Sequence, residues 1–219
     1  MPYKTEFHCH TIYSKDSLLT PLQLVQTCRK KGIDRVITTD HNSIQGALEA
    51  QKLAPDLVIV GEEIMTTKGE IIAVYLSEEI PAMLTPQETI FRLKEQDAFI
   101  SVAHPFDFTR SGHWNEADLL EILPQIDAIE TFNARCLLPS MNEKAQEFAE
   151  RHKTPSTVGS DAHTAFELGR ATLTLPQFNS ARELRHVISQ GIPQTRRSGI
   201  TARIASRYAV LHKKICKND

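Results

Sequence analysis

The chain has 219 residues, 41% apolar and 24% charged, with a net charge near −2. That length suits one domain or a small α/β barrel, the composition is that of a soluble globular protein, and the near-neutral charge excludes a general attraction to nucleic acid. Cysteines at 9, 28, 136 and 216 have no CxxC spacing and read as reduced thiols of a cytoplasmic protein, while no run approaches the ~18 apolar residues of a membrane span.

The charge is uneven: residues 196–219 carry seven Lys/Arg and one Asp, leaving −8 for the rest. One domain is expected over 1–219, with a core at about 3–195 and a basic helix at about 199–216.

In chain order, Lys4 to Cys9 reads as a short strand, with Phe7 and Cys9 on one face and His8 and His10 on the other. Thr20-Pro21-Leu22-Gln23 is a helix start: Thr as N-cap, Pro at the first helical position and Gln three after the cap. The helix ends at Gly32, and Arg35–Thr39 is a β-branched strand that delivers Asp40-His41-Asn42. A helix is expected from Ser43 to Ala54, then a strand Asp56–Val60 ending in Gly61-Glu62-Glu63, and a further strand Ile71–Leu76 with Gly69-Glu70 at its entrance. Thr85-Pro86-Gln87-Glu88 repeats the capping box and opens a helix to about Gln96. Ala98–Ala103 is a strand ending in His104-Pro105, followed by a polar and aromatic loop over 106–115. A short helix near Glu116–Leu123 precedes strand Ile126–Phe132 and Asn133-Ala134-Arg135. A helix from about Ser140 to His152 leads to strand Pro155–Gly159, which closes on Ser160-Asp161-Ala162-His163; Ala171–Leu175 is the last expected strand. Strands alternating with helices predict βα units and a parallel sheet. The tail has apolar residues at 200, 204, 208, 211 and 215, a helical seam expected to pack on the barrel with its Arg and Lys solvated, the alternative being a phosphate-attracting or nucleic-acid-facing helix.

Metal-ligand residue types recur where apolar runs stop. These ends supply His8, His10, His41, Glu63, His104, Asp161 and His163, with Asp16 and Glu70 nearby. In α/β folds, functional groups collect at the carboxyl ends of strands. Imidazole with carboxylate is the ligand set of Zn²⁺, Mn²⁺ or Fe²⁺, and so many ligands predict two or three ions bridged by a carboxylate. Of Glu62 and Glu63, alternation turns only one toward the site. His113, His152, His186 and His212 read as non-ligands.

These residues resemble the PHP family, the polymerase and histidinol phosphatase domain. The matching pieces are Phe7-His8-Cys9-His10-Thr11, Thr38-Thr39-Asp40-His41-Asn42, Gly61-Glu62-Glu63-Ile64, Ala103-His104-Pro105 and Gly159-Ser160-Asp161-Ala162-His163. The resemblance implies a distorted (β/α)7 TIM-like barrel, a trinuclear centre at the C-terminal strand ends, and metal-dependent hydrolysis of phosphate esters. It implies that His8, His10 and Asp161 hold one ion and share Glu63 with a second, that His104 serves the second, and that Asp16, His41 and His163 hold the third. It favours Glu63 over Glu62 and makes Asp40 a supporting carboxylate. Two departures stand out. The family's Asp falls at Lys15, one residue before Asp16, and a His common on the strand after the glutamate is replaced by Glu70. A carboxylate there favours Mn²⁺ or Fe²⁺ over Zn²⁺ by hardness.

The expected activity is a phosphoesterase, with Glu63, Asp161 and His163 catalytic and Asn133, Arg135 and Arg170 binding substrate; Arg110 is a further phosphate-binding candidate. Expected partners are a phosphorylated small molecule, a nucleotide or a nucleic-acid end, with no membrane; the oligomeric state is left open. The alternatives are a non-catalytic metal-binding scaffold and a metal-dependent hydrolase of a non-phosphate substrate.

Overall fold

A computed structural model describes residues 1–216. Nine strands form one sheet in the order β7-β6-β5-β4-β3-β2-β1-β8-β9. They are β1 (Tyr3–Cys9), β2 (Arg35–Thr38), β3 (Val58–Met65), β4 (Glu70–Val74), β5 (Phe99–Val102), β6 (Ala128–Asn133), β7 (Ser156–Gly159), β8 (Ala171–Leu175) and β9 (Ile192–Thr195). The helices are α1 (Pro21–Lys30), α2 (Gln45–Leu53), α3 (Pro86–Glu95), α4 (Glu116–Ile122), α5 (Pro139–His152), α6 (Ala181–Val187) and α7 (Ile200–Ile215).

The first seven strands curl until the chain just after β7 meets the end of β1. A parallel bridge joins Cys9 to Ala162, and His10 N–H donates to the Ala162 carbonyl at 2.8 Å. This is the distorted TIM-like barrel. Its β1–β2, β2–β3, β5–β6 and β6–β7 pairs are parallel. The expected all-parallel sheet is corrected at β4, which runs antiparallel to both β3 and β5. The reason is the connection: only residues 66–69 separate β3 from β4, too few for a crossover helix, so the strands form a hairpin. Thr66 closes it, its N–H donating to the Gly69 carbonyl at 3.0 Å and its hydroxyl accepting from Gly69 N–H at 3.1 Å. The reversal carries Glu70, opposite Met65, to the same barrel end as Glu63. Antiparallel β8 and β9 extend the sheet from the first half of β1; β9 and α6 were not expected.

The Thr20 cap forms in full, its side chain and that of Gln23 each taking up the other's backbone N–H. At Thr85 only half the box exists. The hydroxyl accepts from Glu88 N–H at 3.2 Å, but the Glu88 carboxylate instead accepts from Arg92 at 2.9 Å. Phe7 and Cys9 are both buried, yet in different clusters: Phe7 with Ile37, Ile72 and Phe99, Cys9 with Leu24, Cys28 and Val36. A register shift between Glu6 and Cys9 breaks the alternation that would place them on one face.

The tail is corrected as well. Helix α7 packs through small residues, Ala202, Ser206 and Ala209, and the seam of Ile200, Ile204, Tyr208, Leu211 and Ile215 is exposed. Small side chains let its backbone approach the barrel. Among the described residues, no helix is long and apolar enough to cross a membrane.

Candidate metal centre

The loops at one end of the barrel are laced together by main-chain bonds. Asn42 N–H donates to the Glu63 carbonyl at 2.9 Å, Glu63 N–H to Asp40 at 3.1 Å, and Thr39 N–H to Cys9 at 2.8 Å. The motifs therefore sit side by side, although 155 positions separate His8 from His163. Asn42, His104 and Asp161 have φ of 51°, 25° and 50°. Left-handed backbone at non-glycine residues costs on the order of 1–3 kcal/mol each and collects at functional sites, where it re-aims side chains as strands end.

Four groups of three residues have ligand atoms within 4.8 Å of one another: His10, His41 and His163; His8, His10 and Glu63; His8, His104 and Asp161; and His41, Glu63 and Glu70. Asp16 joins them from the loop after β1, 3.1 Å from His163 Nε2 and 3.6 Å from His41 Nε2. Every expected ligand thus reaches one pit. Glu63 stands at its centre, its oxygens 2.9 Å from His104 Nε2, 3.3 Å from His8 Nε2, 3.5 Å from His10 Nε2 and 2.8 Å from His41 Nδ1. Glu62 turns away and accepts from Ile80 N–H at 3.0 Å.

Hydrogen bonds behind the histidines set their tautomers. His8 Nδ1 lies 2.9 Å from the Glu130 carboxylate, which can only accept, so Nδ1 carries the proton and Nε2 presents a lone pair. Ser14 donates its hydroxyl proton to Asp40 at 2.6 Å, so its oxygen accepts from His10 Nδ1–H at 3.0 Å and from His41 N–H at 3.0 Å. With both rings neutral, the two Nε2 lone pairs face each other 3.2 Å apart, a pairing that a proton or a cation must bridge. Buried Asp16 Oδ1, Glu63 Oε2 and Asp161 Oδ1 satisfy no full hydrogen bond, although His41 Nδ1 lies 2.8 Å from Glu63. Acceptors converging in this way need protons or cations between them, and the nitrogen and oxygen donor set suits Zn²⁺, Mn²⁺ or Fe²⁺.

The electrostatics agree. Burial lowers His8 and His41, but the carboxylates around them outweigh it and hold both well above the ordinary imidazole range. His10 is pushed well below it by burial and by His163 and His41. Burial raises Glu63, yet His8 and His41 hold it well below the usual carboxylate range, and Arg110 and His8 do the same against burial for Asp161. Burial and Glu63 push Glu70 up. The pit demands positive charge.

The expected substrate residues divide. Asn133 is fully buried and braces carboxylates, its amide donating to Glu130 at 3.0 Å and to Asp161 at 3.2 Å. Arg135 is also buried: Nη1 lies 2.5 Å from His163 Nδ1, and Nη2 donates to Ser206 at 2.8 Å. Arg170 is corrected, since its guanidinium stacks 4.3 Å over Phe166 outside the pit. Arg110 reaches inward instead, 2.5 Å from Asp161. Asp40 supports the loop after β1, accepting from Thr11 N–H at 2.7 Å. None of the four histidines set aside reaches the pit: His113 and His186 bond nearby carbonyls, His152 packs on Phe148 and His212 on Tyr208.

Sequence reasoning missed Glu130 and Glu6. Glu130 takes His8 Nδ1 at one oxygen, and His104 N–H at 2.8 Å with Asn133 at the other; its signal was a lone carboxylate in the apolar run Ala128-Ile129-Glu130. Glu6 lies behind the pit, accepting from Ser160 N–H at 3.0 Å and Gly169 N–H at 2.9 Å, and burial raises it to about 7. It anchors the Asp161 loop. Alternation alone would have assigned it to the histidine face.

The PHP domain model matches residues 6–138 and the PHP-associated model residues 139–191. The chain belongs to the PHP domain family. An uncharacterised protein of Methanocaldococcus jannaschii is 38% identical over 179 residues, covering 80% of this chain and 72% of its own. A two-domain Bacteroides vulgatus protein, described as containing a predicted PHP-like metal-dependent phosphoesterase, superposes with TM-score 0.72 at 18% identity, covering 90% of this chain; this chain spans 65% of that one. The lesion-specific endonuclease EndoQ of Pyrococcus furiosus superposes with TM-score 0.60 at 19% identity, over 87% of this chain and 56% of its own. At these identities the structural likenesses establish the fold.

Proposed function

We propose that this protein is a metal-dependent phosphoesterase acting on a phosphomonoester, a nucleotide or an oligonucleotide end. The observation that carries this reading is the convergence of imidazole and carboxylate acceptors, several without a hydrogen-bond partner, in a buried pit that demands positive charge. His8, His10, Glu63 and Asp161 would hold one divalent ion, Glu63, Glu70 and His104 a second, and Asp16, His41 and His163 a third. When bound, such ions lower the pKa of water and neutralise charge on a phosphoryl group. Glu63 would serve the first two ions together, and Glu70 would bias the set toward Mn²⁺ or Fe²⁺.

The chain's own groups do the positioning. Glu130 and Ser14 hold His8 and His10 in the tautomer that presents Nε2. Asn133 and Arg110 steady Asp161 from its other oxygen. Arg110 also faces the cavity beside the pit, where a guanidinium suits a phosphate oxygen. His163, at the cavity wall with Nε2 toward Asp16, is assigned to the third ion, so the proton for the leaving oxygen comes from water.

The test is phosphate release from a panel of monoesters, nucleotides and short oligonucleotides, with Mn²⁺, Zn²⁺ or Fe²⁺ restored to chelator-stripped protein. Metal-dependent turnover, lost in His10→Ala, is expected. Silence from folded, metal-loaded protein would sink the reading and favour a scaffold or a hydrolase of another bond.

A further inference from the structure

Helix α7 lies outside both matched segments, 6–138 and 139–191, yet it walls the mouth of the pit. Just before the helix, Ser198 N–H donates to the Ala134 carbonyl at 2.7 Å; near its far end, Lys213 Nζ donates to the Ser14 carbonyl at 2.6 Å. Between these, Arg135 donates to the Ala202 carbonyl at 3.2 Å and to Ser206. The helix thus spans from the loop after β6 to the loop after β1. Beside its buried face it carries Arg203, half-buried, and Arg207, exposed, both at the cavity.

These two arginines, with Asp16, Arg110, Arg135, His163 and Ser206, line a cavity of about 230 Å³. Water occupies roughly 30 Å³, so a phosphate and some solvent fit. Arg110 is already paired with Asp161 and Asp107, and Arg135 lies beside Glu167 and His163. Arg203 has the Arg135 carbonyl at 3.2 Å and only a distant carboxylate, Asp107, at 4.0 Å. Arg207 makes no hydrogen bond or ion pair among the described residues. Burial and the charges of Arg110 and Arg135 weaken Arg203's hold on its proton. Like charges gathered beside a cavity repel unless an anion joins them.

We propose that Arg203 and Arg207 form a subsite for a second phosphate, so that the preferred substrate carries two phosphate groups, one at the metal ligands and one at α7. This rests on the phosphoesterase reading, but part of its test does not. Inorganic pyrophosphate is titrated calorimetrically into chelator-stripped protein and into Arg203→Gln and Arg207→Gln variants with unchanged circular dichroism. Removing one arginine–phosphate contact is expected to weaken binding about tenfold or more; equal binding by all three proteins overturns the subsite. In turnover, Arg207→Gln should raise KM for a pentose bisphosphate at least tenfold more than for the matching monophosphate, and a uniform change in both overturns the proposal. A 5′-phosphorylated dinucleotide separates the two sources of the second phosphate: discrimination appearing only there assigns it to a nucleic-acid backbone, and discrimination with the bisphosphate to a small molecule. If no ester is hydrolysed, the phosphoesterase reading fails while the titration still decides the subsite.

Discussion

Glu130→Gln tests how the pit is held ready for cations. The carboxylate takes His8 Nδ1 at Oε1 (2.9 Å) and both His104 N–H (2.8 Å) and Asn133 Nδ2 (3.0 Å) at Oε2, and it is 1% exposed. A glutamine keeps the volume but offers one oxygen and one NH₂. Aimed at Oε2's partners, the NH₂ would meet two donors, so the side chain turns its oxygen there and its NH₂ toward His8. His8 must then accept at Nδ1 and carry its proton on Nε2, which points at His10 Nε2 and Glu63. That proton occupies the direction a cation needs. Loss of a partner behind a metal-binding histidine typically costs about 10–100-fold in affinity, and the forced tautomer places this variant near the upper end, about 2.7 kcal/mol. Competition against a chromophoric chelator reads the affinity directly, and circular dichroism checks the fold. Binding within about threefold of wild type, in a folded variant, would refute the tautomer argument.

Two further outcomes follow from the same geometry. Burial pushes Glu62 up to about 8 from an ordinary 4.5. The folded state therefore keeps a proton that the unfolded chain releases, and stability falls as pH rises from about 4.5 to 8, by at most about 1.4 kcal/mol per unit. Glu62→Gln keeps an acceptor for Ile80 N–H, so urea unfolding of metal-free protein should show its advantage over wild type growing between pH 5 and 8; parallel pH profiles would contradict this. Gly159 is the second: a Cβ there would lie 2.0 Å from Glu130 Oε1 and 2.5 Å from His8 Cβ. Gly159→Ala should destabilise by about 1–3 kcal/mol, lowering Tm by about 2–4 °C per kcal/mol, and should also weaken metal binding. A drop in stability with intact affinity would show that the shift spares His8.

Much of the centre was legible before the fold. Ligand residue types at the ends of apolar runs, in the order His8, His10, His41, Glu63, His104, Asp161 and His163, marked the pit because strand ends in α/β barrels converge on one face. Element types followed from local chemistry, as at Thr20, where cap, proline and glutamine act within four residues. What pattern could not supply depended on long-range pairing. The antiparallel hairpin decided that Glu70 stands beside Glu63, and the register shift in β1 decided that Glu6 turns from the histidines toward Ser160. Glu130 shows its role only when closure of the barrel through β7 brings β6 within reach of His8. The tail shows the division most sharply: its sequence determined that residues 200–215 are a helix with an apolar seam, because periodicity is local. Only the tertiary structure decided that Ala202, Ser206 and Ala209 face the barrel and the seam faces solvent, because contact with the rim admits small side chains and draws Arg203 and Arg207 over the cavity.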